Sequence, residues 1–133
     1  MASTFNPIAA TSSDTAVATV SAASSAVAGV FNLAVRKLAQ THKISAAAQT
    51  NTTDALNQTG SFVINGRAVN IEATDSLQAI AGKINGANAS VTASIINGGE
   101  GRAFLSITAK SSGAAKEIQI SDLDGAVANT LGL

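Results

Sequence analysis

The sequence predicts an α+β fold that is mostly β: antiparallel strands in the order ββαβββ, with one short helix packed on a small sheet, preceded by a strand-rich partial domain. Three observations carry this. Asn65-Gly66 lies between two apolar-rich runs, and Asn-Gly is the dipeptide that best accepts the positive φ angles of a two-residue hairpin. Over Leu77, Ile80, Ala81 and Ile84 the apolar spacing becomes i, i+3, i+4, i+7, one face of a helix. Beyond it, three more runs return to strand alternation, separated by Gly-rich turns.

Taken in order, residues 1–29 are rich in Ala, Ser and Thr, a composition that buries little apolar surface. Asn6 and Pro7 predict an extended start, Ser12-Ser13-Asp14 a turn, and Ala16–Val20 a short strand. Phe31, Leu33 and Val35 alternate with Asn32, Ala34 and Arg36, which predicts a strand prolonged through Leu38, with a second extended piece around Ile44. Residues 49–60 are polar and read as a loop, which divides the chain into domains 1–55 and 56–133.

In the second domain Phe62, Val63 and Ile64 lead into the Asn65-Gly66 turn, and Val69 and Ile71 alternate with Asn70 and Glu72. Asp75 is the expected helix cap, with Gln78 three residues on as its reciprocal partner, and Asn85-Gly86 ends the helix. Val91, Ala93 and Ile95 predict the next strand and Leu105, Ile107 and Ala109 another, joined through Gly98-Gly99-Glu100-Gly101. Ser111-Ser112-Gly113 turns the chain towards a last strand marked by Ile118 and Ile120, and a short helix around Ala126–Leu131 closes it.

The totals exclude several function classes. Hydrophobic residues make up 46% of the chain, but many are alanine and the aromatics are four Phe, so a thin core is expected in the hairpin–helix module. Net charge is zero with no basic run, which argues against a nucleic-acid partner. There is no cysteine, hence no disulfide framework and no thiolate metal site. No apolar run approaches the ~18 residues of a membrane span. The N-terminus lacks a signal-peptide pattern, a trace that a specialised export route reading other signals also leaves.

No catalytic, cofactor-binding or metal-ligating residue emerges. His42 is the sole histidine, so no histidine metal cluster or Ser-His-Asp relay with spare parts can be assembled, and it reads as a polar residue in a strand or turn. Asp122 and Asp124 flank a leucine, too few oxygen ligands for calcium. Gly98–Gly101 joins two strands and opens no helix, so it reads as a hairpin loop and not a phosphate cradle. Asn51-Thr52-Thr53, Asn57-Gln58-Thr59 and Asn88-Ala89-Ser90 fit the glycosylation triplet, which matters only in a eukaryotic secretory route. The chain reads as a non-enzyme.

Ile64-Asn65-Gly66, Asp75-Ser76-Leu77, Ile80-Ala81 through Ile84-Asn85, and Val91–Ile95 together resemble the hook IN motif of flagellins and flagellar hook-associated proteins. Leu105–Ala115 continues the likeness. Upstream, Ala10–Asp14, Ala28–Phe31 and Val35–Gln40, the last with its Leu-Ala-Gln, resemble the flagellar filament cap family, hook-associated protein 2. The resemblance runs from about Phe5 to the end of the chain.

It implies a structural and assembly role: a head-region fragment of a cap that sits at the filament tip, forms a ring-like homo-oligomer, and promotes polymerisation of flagellin exported by the flagellar secretion system. It implies further that the piece is cut from a longer protein, without the long terminal helices or the returning half that completes the domain of residues 5–50. The N-terminal segment is then expected to expose unpaired strand edges. The alternatives are an exposed adhesin or glycan- and mucin-binding module, and a phage-tail or surface-appendage domain of similar fold.

Overall fold

The Asn65-Gly66 hairpin forms as its chemistry dictates, with φ of 47° at Asn65 and 77° at Gly66. In the computed structural model, which describes residues 8–133 (of Ala114, the backbone only), it joins β2 (Gly60–Ile64) to β3 (Arg67–Ile71). The element order is β1 (Thr41–Ser45), β2, β3, α1 (Leu77–Gly86), β4 (Val91–Gly99), β5 (Arg102–Ser112), a 3₁₀ turn at Ala114–Lys116, β6 (Ile120–Asp124) and α2 (Val127–Leu131). The chain divides into two compact units, Met1–Leu38 and Ala39–Leu133.

The second unit carries the predicted ββαβββ order and the closing helix, arranged as two three-stranded antiparallel sheets, β1-β5-β4 and β3-β2-β6. Register explains the core. Ala93 pairs with Ile107 and Ile95 with Leu105, while Ile44 opposes Ile107 from the other side. One face of the β5-centred sheet is therefore apolar. The α1 stripe Leu77, Ile80, Ala81 and Ile84 is buried, as its spacing predicts, and joins Phe62, Ile64, Val69 and Ile71 in one core cluster. The opposite face carries Ser45, Ser106 and Ser94 in a cross-strand row. There Ser106 Oγ is buried, with no hydrogen-bond partner among the described residues.

Several local expectations are corrected. Ser76, not Asp75, caps α1, its side chain accepting from Ala79 N. Asp75, one position too early for that role, instead accepts from Glu72 N and pairs with Lys83. Gln78 makes no reciprocal cap; its backbone N–H donates to Thr52 O. Residues 15–17 form a turn and no strand forms over 16–20. The strand expected from Phe31 through Leu38 is likewise absent, although the extended piece around Ile44 forms as β1. Alternation supplies a face but not a ladder, and residues 8–38 contain no second strand to satisfy one. The extended start at Asn6 and Pro7 lies outside the described residues. The two compact units divide in the sequence between Leu38 and Ala39, and β1 is hydrogen-bonded into the sheet of the second unit.

Asp75 adds a pH dependence. Burial pushes its carboxyl pKa up, but the Glu72 N–H and the Lys83 ammonium outweigh that, and the net shift is below the ordinary value of 3.8. A carboxylate held down in the folded state stabilises above its unfolded pKa and ceases to as pH falls through the folded one. Urea unfolding midpoints should therefore drop below about pH 4, and by less in Asp75→Asn. Identical acid profiles for the two proteins would remove Asp75 from the account.

Candidate functional site

The second unit is held at its centre by side-chain amides. Asn65 Nδ2 donates to Ala89 O at 2.9 Å, and its Oδ1 accepts from Gln119 N at 2.9 Å. Its backbone N–H also donates to Gln119 O at 2.9 Å. The hairpin turn is thereby tied to the α1–β4 loop and to the segment entering β6, 24 and 54 residues away. Asn85 does the same at the end of α1, where Nδ2 donates to Ala93 O and Oδ1 accepts from Ala93 N, both at 2.8 Å. In both of these Ile-Asn pairs the isoleucine, Ile64 or Ile84, is fully buried and the asparagine fastens backbone.

Beside this junction Asn65, Arg67, Asn88, Ser90, Lys116 and Gln119 line an open polar cleft of about 520 Å³. Asn65, Asn88 and Ser90 all have positive φ there, so turn backbone shapes much of its wall. Among the described residues no carboxylate forms an ion pair with Arg67 or Lys116.

The residues weighed for chemistry fall in separate, structural places. His42 Nδ1 accepts from Ile118 N at 2.9 Å, tying β1 to the approach to β6. Asp122 accepts from Ala128 N at 2.7 Å and Asn129 N at 3.1 Å, capping α2, whose own N-cap Ala126 has no side chain to offer. Asp124 is exposed on the same strand. Gly98–Gly101 lies at the β4–β5 hairpin tip, where Gly99, Glu100 and Gly101 have positive φ. Asn51 Oδ1 accepts from Thr53 and Asp54 N–H groups in a local turn, and Asn57 and Asn88 occupy left-handed positions. Among the described residues no three His, Cys, Asp or Glu side chains converge as a metal site. No helix there is long and apolar enough to cross a membrane.

The first unit presents a different surface. Val27, Val30, Phe31, Leu33 and Leu38 are exposed, Phe31 at 87% and Val30 at 97%, on a stretch with strand patterning and no strand. Single exposed apolar residues are ordinary, whereas several along one short stretch are not.

The family model described as flagellar hook-associated protein 2 N-terminus matches residues 1–42. The crystal structure of the flagellar cap protein FliD D2-D3 domains from Escherichia coli is 29% identical, with a TM-score of 0.65 over 73% of this chain and 54% of that one. In sequence and fold this chain is similar to the head region of the flagellar cap proteins. The E. coli FliD D1-D2-D3 structure is 30% identical with a TM-score of 0.60, covering 66% of this chain and 27% of that one. The D2-D3 domains of Serratia marcescens FliD are 27% identical with a TM-score of 0.56, covering 73% and 55%. A search of the curated proteins finds no match. The cap-type chain thus spans about half the length of the D2-D3 structures it resembles.

Proposed function

We propose that this chain is the part of a flagellar cap that builds the head at the filament tip, outside the cell, in a ring of identical subunits beneath which exported flagellin folds and inserts. Its role is structural, with self and flagellin as partners. The observation that carries the reading is the strand-patterned, apolar, unsheeted stretch from Val27 to Leu38 within the cap-type match. Such a stretch is completed by further chain, either the rest of its own protein or a neighbouring subunit. The division into a small incomplete unit and an amide-clamped one suits a subunit that matures on assembly.

The test is complementation. A cap-deficient flagellated strain supplied with the full-length protein carrying this sequence should make filaments and stop shedding flagellin monomer into the medium. Continued shedding, with the protein exported and stable, would remove the assembly role.

A second reading, adhesion to glycan or mucin, is favoured by the polar cleft with its Arg67 and Lys116. Retention on a mucin-coated surface that disappears in an Arg67→Ala, Lys116→Ala double variant would support it. Retention that survives the double variant would dissociate adhesion from the cleft.

A further inference from the structure

The sequence contains the triplet Ile-Asn-Gly three times, at 64–66, 84–86 and 96–98. Asparagine before glycine is the pairing most open to spontaneous deamidation, because the following amide nitrogen meets no side chain on its way to the carboxamide carbon. Three chemically equivalent dipeptides thus sit in three structural settings.

At Asn65 both ends of the carboxamide are drawn away to distant backbone, Nδ2 to Ala89 O and Oδ1 to Gln119 N. At Asn85 both ends are held by Ala93, and the residue lies in the last turn of α1, where Gly86 continues the helix. Leaving group and carbonyl are spoken for in each, and neither can swing onto the next nitrogen without breaking two hydrogen bonds. Asn97 differs. It is exposed, as is Ile96 before it, and its Oδ1 accepts from Gly99 N at 3.0 Å. That bond folds the carboxamide forward over its own chain, towards Gly98, and aims an N–H at the oxygen where negative charge would develop. Among the described residues Asn97 Nδ2 holds no hydrogen bond. The β4–β5 register slips between Asn97 and Gly99, so Gly98 has no ladder partner.

We propose that Asn97 is a site of spontaneous deamidation in the folded protein, while the amide clamps at Asn65 and Asn85 hold the same dipeptide inert. The Gly98 nitrogen, its proton lost to hydroxide, attacks Asn97 Cγ. The new N–Cγ bond sends the carbonyl pair to Oδ1. Collapse breaks Cγ–Nδ2, and Nδ2 leaves as ammonia after taking a proton from water. Water then opens the cyclic imide at either carbonyl, leaving aspartate or isoaspartate, with no oxidant or reductant involved. A Cβ at residue 98 would lie 2.6 Å from a ring carbon of Phe104, so any other residue there would have to displace that half-buried ring. The product adds a carboxylate to a tip that already holds the Glu100–Arg102 pair.

The test incubates the folded protein in mildly alkaline buffer and follows the three peptides by tandem mass spectrometry. Asn97 should convert at least about tenfold faster than Asn65 or Asn85, with ammonia released in step. In denaturant the three should convert at similar rates, since the local sequence is the same. Equal rates in the folded protein would overturn the proposal. So would a persistent Asn97 preference in denaturant, which would assign the selectivity to sequence instead of structure.

Discussion

Replacing Asn65 by alanine should destabilise the second unit by about 3 kcal/mol, measured by urea unfolding. The side chain satisfies the carbonyl of Ala89, which is 3% exposed, and the N–H of Gln119. Leaving a buried acceptor unpaired costs about 1–3 kcal/mol, and the more exposed Gln119 bond contributes less. To this is added the left-handed backbone, φ 47°, which alanine adopts at a cost of about 1 kcal/mol. Asn65→Gly separates the two contributions, because glycine keeps the φ and loses only the amide. It should lie about 1 kcal/mol above the alanine variant in stability. Hydrogen exchange should open first at the α1–β4 loop and the approach to β6, the two segments the amide reaches. A loss under about half a kcal/mol for Asn65→Ala would mean that the backbone pairing of Asn65 with Gln119 carries the junction alone.

The same residue shows how far the sequence could be read. Asn65-Gly66 announces a hairpin because its φ requirements are local, and the helical stripe Leu77–Ile84 announces a buried face because periodicity is local too. Neither reveals that the Asn65 carboxamide closes contacts 24 and 54 residues away, since polar partners at that separation leave no pattern in one chain. Asp122 is a parallel case: a carboxylate weighed for metal turns out to cap α2, because the chain folds back at Gly125 and brings β6 beside the helix start. Serine before Leu77 was the available signal for the α1 cap, and the acidic residue beside it obscured it. Phe31–Leu38 fails in the opposite direction. Its alternation is as regular as that of β3, but a strand is a property of two segments, and residues 8–38 hold no partner for it. The candidate interaction surface was therefore legible as pattern, and its exposure only from the structure.

A glycine pair gives the sharpest contrast within one chain. Gly60→Ala should cost about 4 kcal/mol, whereas Gly82→Ala should stabilise by about 1 kcal/mol. At Gly60, where β2 begins, φ is 142°, and an added Cβ would lie 2.3 Å from Asp124 O and 3.1 Å from a Val127 methyl. Neither obstacle can yield cheaply. Asp124 is backbone at the end of β6, paired with Ser61, and Val127 is buried at the start of α2. The clash must push β6 off β2, and α2 follows because Asp122 of β6 caps it. Loss of β6 also withdraws the Gln119 segment from Asn65, so the damage spreads to the amide junction. Gly82 lies on the exposed face of α1 with nothing within 4 Å of the added atom. There the substitution only reduces the freedom of the unfolded chain and raises helix propensity. Paired unfolding curves of the two variants settle the matter: the same methyl group should shift the midpoint in opposite directions. A Gly60→Ala protein as stable as the parent would mean that β6 and α2 can move aside freely, and that the head unit is held by β1-β5-β4 and α1 alone.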